Sequence, residues 1–253
     1  MYSIDLNSDL GESFGRYSLG LDDQIIPLVS SVNVACGMHA GDPVVMRKTV
    51  ALAASAGVAI GAHPGYPDLQ GFGRRDMNLS PDEAYAFTVY QIGALRGFCD
   101  AQGTALAHVK PHGQFYNKAA RDRALADAIA QAVHDVDPHL VLVGLANSQL
   151  IAAGQALGLT CAQEFFADRN YTDDGQLVPR TQPDALIAGE EVAIERVIRA
   201  VKEGAVLSHT GKLIELHADT LCVHGDSPSA LAFVQKIRTA LEAEGIAIAP
   251  VRA

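Results

Sequence analysis

Leu106-Ala107-His108-Val109-Lys110-Pro111-His112-Gly113 begins apolar, turns charged, and breaks on proline and glycine. Within the strand predicted at Ala105–Lys110, side chains alternate between two faces. Leu106, His108 and Lys110 share one face; Ala105, Ala107 and Val109 share the other. The pattern recurs outward from this stretch. In Ser3–Asp9, the residues Asp5, Asn7 and Asp9 oppose Tyr2, Ile4 and Leu6. In Ala59–His63, His63 shares a face with Ala59 and Gly61. Ala162 and Glu164 share a face in Thr160–Phe166, with Asp168 just beyond, and Cys222, His224 and Asp226 do so in Leu221–Asp226. A buried parallel strand otherwise reads as a nearly continuous apolar run. Ionisable groups there are costly unless paired or used. The polar residues crowd toward the C-terminal strand ends, where β/α-barrels line their active sites.

Val32–Cys36 and Leu140–Leu145 complete seven predicted strands, and helical periodicity fills the spaces between them. Tyr85, Val89, Ile92, Leu95 and Cys99 form one stripe; Ile194, Val197, Ile198 and Val201 a second; Ala230, Phe233, Ile237 and Leu241 a third. Ser80-Pro81-Asp82-Glu83 reads as a helix start, with Ser80 as N-cap and Glu83 closing a capping box. Strand–helix alternation implies a parallel sheet with right-handed crossovers. The expected fold is α/β, a single seven-stranded β/α-barrel domain over residues 1–253, with a doubly wound open sheet as the competitor. Arg169–Pro183 is turn-rich and reads as a loop over one face. Gly204–Thr220 reads as a hairpin inserted before the last strand.

Hydrophobic residues make up 49% of the 253 and charged residues 19%, so a sizeable core is available. The net charge of -10 argues against a nucleic acid or acidic membrane as partner. No stretch approaches the ~20 apolar residues of a membrane span. The N-terminus lacks the basic start and apolar core of a signal peptide, and a cytoplasmic location is expected. Cys36, Cys99, Cys161 and Cys222 are scattered, as free buried thiols of a cytosolic protein would be. Phosphate-loop, dinucleotide, nucleophile-elbow and HExxH patterns do not occur.

Four segments carry the chemistry. Asn33-Val34-Ala35-Cys36-Gly37-Met38-His39-Ala40-Gly41-Asp42 leaves a strand, turns on glycines and enters a helix at Asp42-Pro43, with Asp42 as N-cap. His39 sits in that turn, where backbone can approach a ligand closely. Ala62-His63-Pro64-Gly65-Tyr66-Pro67-Asp68 is a second strand end followed by a rigid turn. Gly71-Phe72-Gly73-Arg74-Arg75 is either a solvated loop or a clamp on a carboxylate or phosphate. Lys110, facing a barrel interior, requires a partner such as Glu164 or Asp9, or a bound anion; His112 serves the same site from the loop.

These stretches, with Asp5-Leu6-Asn7-Ser8-Asp9-Leu10-Gly11-Glu12, Tyr116-Asn117, Glu164 through Tyr171 and Val223-His224-Gly225-Asp226, resemble the LamB/YcsF family, described as the A component of prokaryotic 5-oxoprolinase. The resemblance spans essentially the whole chain. It implies a distorted barrel similar to carbohydrate deacetylases. It further implies ATP-driven hydrolysis of 5-oxo-L-proline to L-glutamate, with Mg2+ accompanying ATP and with partner subunits B and C. Such chemistry requires a general base, a cation for developing charge and a carboxylate clamp. Asp9 and Glu12 are the base candidates. His63, His108 and His224 are acid–base or metal candidates, and Lys110 stabilises charge. Arg74, Arg75 and Arg169 are candidates to hold carboxylate or phosphate, and Asn7, His39, His112, Glu164, Asp168 and Asp226 complete the expected substrate site. A second reading places a divalent metal among Asp9, His39, His63 and His108. A stand-alone metal-dependent deacetylase or amidohydrolase, and a noncatalytic substrate-binding component, are the alternatives.

Overall fold

A computed structural model describes residues 2–223 and 228–252, apart from the side chain of Pro228. Strands β1 (Ser3–Leu10), β2 (Ser31–Ala35), β3 (Ala59–His63), β4 (Leu106–Val109), β5 (Val141–Leu145) and β6 (Cys161–Phe166) pair in sequence order, all parallel. A short antiparallel hairpin follows, β7 (Ala205–Leu207) and β8 (Leu213–Glu215), where the sequence predicts one. Strand β9 (Thr220–Val223) then pairs with β6 on one side and β1 on the other, closing a seven-stranded barrel. Closure removes the open-sheet alternative. An eighth parallel strand, β10 (Ala247–Ile248), pairs with Ser3 and Ile4 at the start of β1.

The helices are α1 (Asp22–Ile25), α2 (Pro43–Ala56), α3 (Pro81–Ala101), α4 (Gly113–Ala119), α5 (Arg123–Val136), α6 (Gln149–Ala156), α7 (Glu190–Glu203) and α8 (Pro228–Ala243). Their starts follow local chemistry. Asp42 accepts from the Val44 and Val45 amides at 2.8 and 2.9 Å, with Pro43 as the first helical residue of α2. Ser80 and Glu83 exchange the two bonds of a capping box at the head of α3. Ile92, Leu95 and Cys99 of α3 and Ile129 and Val133 of α5 are fully buried, each large side chain contributing about 1.5–3 kcal/mol.

Strand parity separates two environments. Ile4 and Leu6 of β1 join the main apolar core. Asp5, Asn7 and Asp9 face the barrel lumen and bond across it, as alternation predicts. Strand β4 ends at Val109, one residue earlier than expected. The Lys110 amide still donates to the Ala62 carbonyl at 2.9 Å, but Pro111 has no N–H to extend the ladder. The stretch after β6 has no long element. Isolated bridges Arg169–Leu186 and Tyr171–Leu177 fold it into a wall beside the C-terminal face.

Candidate active site

The lumen is a column of polar side chains whose hydrogen bonds fix one another. At its lower end Asp5 accepts from the hydroxyls of Ser30, Ser31 and Thr220 at 2.7, 2.8 and 2.6 Å. Burial pushes the Asp5 carboxyl above its ordinary value, against those bonds. Above it, Asn7 donates to Thr220 Oγ1 (2.6 Å) and Glu164 Oε1 (3.0 Å). Asn33 Nδ2 donates to Asn7 Oδ1 at 2.7 Å and Asp9 Oδ1 at 2.8 Å, so its own Oδ1 accepts from His108 Nε2 at 2.7 Å. That bond orients His108 as an Nε2–H donor. Burial, then the Lys110 charge, lowers its pKa to about 3, and the ring is neutral.

Lys110 crowns the column. Its ammonium lies 2.7 Å from Glu164 Oε1 and 3.0 Å from Asp9 Oδ1, and donates to Asn7 Oδ1 at 3.2 Å. Burial opposes the charge. Asp9 and then Cys222 and Glu164 outweigh it, and the ammonium is held well above its ordinary value. Tyr116 closes this side of the lumen, its phenol pushed up by burial and then by the Glu164 charge.

Beside Asp9 stand three imidazoles. His63 Nδ1 donates to the Lys110 carbonyl at 2.7 Å, and His112 Nε2 to the Phe72 carbonyl at 2.9 Å. The two remaining nitrogens, His63 Nε2 and His112 Nδ1, face each other at 2.9 Å. His39 stacks on His112 with ring centroids 3.7 Å apart. Its Nε2 lies 3.7 Å from Glu12 Oε1, which is 3.8 Å from His112 Nδ1. Burial, followed by neighbouring imidazole charge, lowers both His39 and His112 well below the usual histidine value. Packing this tight needs glycine. A Cβ at Gly65 would lie 2.5 Å from His39 Nδ1, and one at Gly73 would lie 2.8 Å from His39 Cβ.

A cavity of about 420 Å³ opens above these groups. Asp9, Glu12, His63, Lys110 and His112 form its floor. Arg74, Arg121, Arg169 and Arg180 also line it, a concentration of cations in a chain of net charge -10. Arg74 lies over the Phe72 ring, 4.9 Å from its centroid. Arg169 is buried and donates to the Val178 and Ala185 carbonyls; burial, then the Arg180 charge, lowers its pKa to about 10.

The structure thus gathers Asn7, Asp9, Glu12, His39, His63, His108, Lys110, His112 and Glu164 in one lumen, with Arg74 and Arg169 at its cavity. Three expectations change. Arg75 is not a cavity clamp: its guanidinium pairs with Asp68, and its side chain is 65% exposed. His108 does not join the metal-capable group, because it is engaged by Asn33 deeper in the barrel. Among the described residues that group is Glu12, His39, His63 and His112, so Glu12 and His112 replace Asp9 and His108. Asp168 lies just past β6, where its backbone carbonyl accepts from the Ile187 amide. His224 and Asp226 lie outside the described residues. Asn33, Arg121, Arg180 and Gln91 join the site without having been singled out by the sequence. Strand parity exposes Asn33, which shares a lumen face with Ser31. Gln91 brackets the turn after His63, donating to the Gly65 carbonyl at 2.9 Å and accepting from the Gly65 amide at 2.8 Å.

The class follows from this architecture: a seven-stranded β/α-barrel with its ionisable groups gathered where barrel enzymes carry out chemistry. The chain belongs to the LamB/YcsF family, whose family model matches residues 4–253. It is 60% identical over 98% of its length to the A component of 5-oxoprolinase from Bacillus subtilis, covering 96% of that protein. The protein of the same name in Tolumonas auensis is 58% identical, with 98% and 99% of the two chains covered. The crystal structure of a lactam utilization protein from Thermus thermophilus superposes with a TM-score of 0.92 at 47% identity, covering 98% of this chain and 100% of the other.

Proposed function

We propose that the chain, acting as one domain over residues 1–253, is the A component of an ATP-dependent 5-oxoprolinase. It opens 5-oxo-L-proline to L-glutamate, with ATP and Mg2+, in a complex with subunits B and C. The observation that carries this reading is the 60% identity, along nearly the full length of both chains, to a protein bearing that name. A cytoplasmic location is part of this proposal; among the described residues no helix is long and apolar enough to cross a membrane.

The site offers what the reaction needs. A lactam is a stable amide, and phosphorylation of its carbonyl oxygen by ATP makes the ring carbon electrophilic. Water adds to that carbon, and the C–N bond breaks as a proton reaches the nitrogen. The resulting acyl phosphate loses phosphate to a second water. Arg74, Arg121 and Arg180 line the cavity and suit the substrate carboxylate and the phosphoryl group. Lys110 opposes negative charge developing on the ring carbon's oxygens. Asp9 takes the proton of the attacking water: Lys110 and Asn33 hold its Oδ1, while its Oδ2 is directed to the His63 side at 3.4 Å. His63 Nε2 is the imidazole nitrogen beside that oxygen, and His112 Nδ1 reaches His63 in turn at 2.9 Å, a relay for the proton. Glu164 and Asn7 position Lys110, and His108 locks Asn33.

Asp9→Asn and His63→Ala in the assembled complex test the assignment. Both are expected to fold and associate while losing ATP-dependent glutamate formation by at least 100-fold; full activity in both would overturn it. A second reading, a self-contained metal-dependent amidohydrolase, is favoured by the imidazole–Glu12 cluster. It predicts turnover by the chain alone without ATP.

A further inference from the structure

We infer that Glu12, His39, His63 and His112 bind one divalent transition-metal ion of the zinc type at the cavity floor. The inference rests on hydrogen-bond polarity. A backbone carbonyl only accepts, so His63 carries its proton on Nδ1 toward Lys110, and His112 on Nε2 toward Phe72. The other nitrogen of each ring is the one that can offer a lone pair. Those two lone pairs point at one another across 2.9 Å. Such an arrangement is repulsive unless a positive centre, a proton or a metal ion, sits between or beside them.

Three further observations favour the metal. Both ring nitrogens of His39 are buried without a hydrogen-bond partner, which is costly unless something absent from the hydrogen-bond network engages the ring. One ligand atom from each of the four residues falls within 4.8 Å of all the others. The carbonyl bonds of His63 and His112 are the outer contacts that metal-binding imidazoles use to fix their tautomer. Three imidazoles and a carboxylate suit zinc, cobalt or nickel; magnesium prefers oxygen ligands and retains water. The ion is therefore distinct from the Mg2+ that accompanies ATP, and its binding does not depend on the substrate being a lactam. When bound, it supplies Lewis acidity at the cavity floor beside Asp9.

The test uses the intact chain, stripped with a chelator and then titrated with Co2+ by visible absorption and with Zn2+ by calorimetry, in excess Mg2+. One equivalent of each is expected, with cobalt spectra of low coordination number and displacement of Co2+ by Zn2+. His39→Gln, His112→Gln and Glu12→Gln should each weaken binding by more than the roughly 10–100-fold that loss of an outer partner costs, with far-UV circular dichroism checking the fold. Affinity unchanged in all folded variants would place the ion elsewhere and overturn the inference. So would a wild-type chain that binds neither ion, a result that needs no variant to fold. Nitrogen-15 spectra of that chain would then show a proton shared between His63 and His112.

Discussion

Replacing Lys110 with methionine removes the cation set between Asp9 and Glu164 while nearly preserving side-chain length. The ammonium lies 3.0 Å from one carboxylate and 2.7 Å from the other, and Glu164 is fully buried. Without it Glu164 retains the Asn7 amide at 3.0 Å, and two carboxylates share the upper lumen with no cation between them. Stranding a buried charge in this way costs about 3–5 kcal/mol. For a chain of this size each kcal/mol lowers the midpoint by roughly 2–4 °C, so the variant should melt about 6–20 °C below wild type. Lys110→Met/Glu164→Gln removes the stranded charge and keeps the shape. The double variant should lose about 0.5–3 kcal/mol less than the sum of the two single losses, the range of coupling found for contacting residues. The assay is thermal and urea unfolding followed by circular dichroism at fixed ionic strength. A Lys110→Met chain melting within about 2 °C of wild type would refute the ion-pair account, as would a double-variant loss equal to the sum of the two single losses.

The buried histidines predict acid lability. His39, His108 and His112 have native pKa values depressed from 6.5, so below pH 6.5 the unfolded chain binds protons that the native chain refuses. Their contribution is intact above pH 6.5 and is lost as pH falls. His108, with a native value of about 3, removes about 1.4 kcal/mol per pH unit over that window. Urea midpoints of chelator-treated protein from pH 7.5 to 5.5 should therefore fall; a flat profile would contradict the neutral-imidazole assignment. Gln91→Leu breaks both bonds to Gly65 and should cost about 1–3 kcal/mol while lowering kcat of the complex more than it raises KM, since the turn it holds carries His63. Ser80→Ala removes the α3 cap remote from the lumen, and should cost about 1 kcal/mol by denaturant unfolding with no change in turnover.

What was legible in the sequence was what short range determines. A period of two put Asp5, Asn7 and Asp9 on one face, and the lumen bonds of all three follow it. The caps at Asp42 and Ser80 need only three or four consecutive residues, and both form as read. Closure was harder to see, because pairing of β1 with β9 joins Asp5 to Thr220 across most of the chain. Arg74 and Arg75 are neighbours in a loop without period. Only the tertiary position of Asp68 draws Arg75 away from the cavity. The metal-capable set went partly wrong for a similar reason. His108 faces inward but sits two residues, about 6.6 Å, below Lys110, at the level of Asn33. His112, beyond Pro111, returns to the level of His63. Parity gives the direction of a side chain and says little about its depth.

The central claim is tested most directly by glutamate release from 5-oxo-L-proline, measured with and without ATP, for this chain alone and then mixed with subunits B and C. The account predicts glutamate only in the complete mixture with ATP. Glutamate from the chain alone without ATP would contradict it and identify a self-contained amidohydrolase.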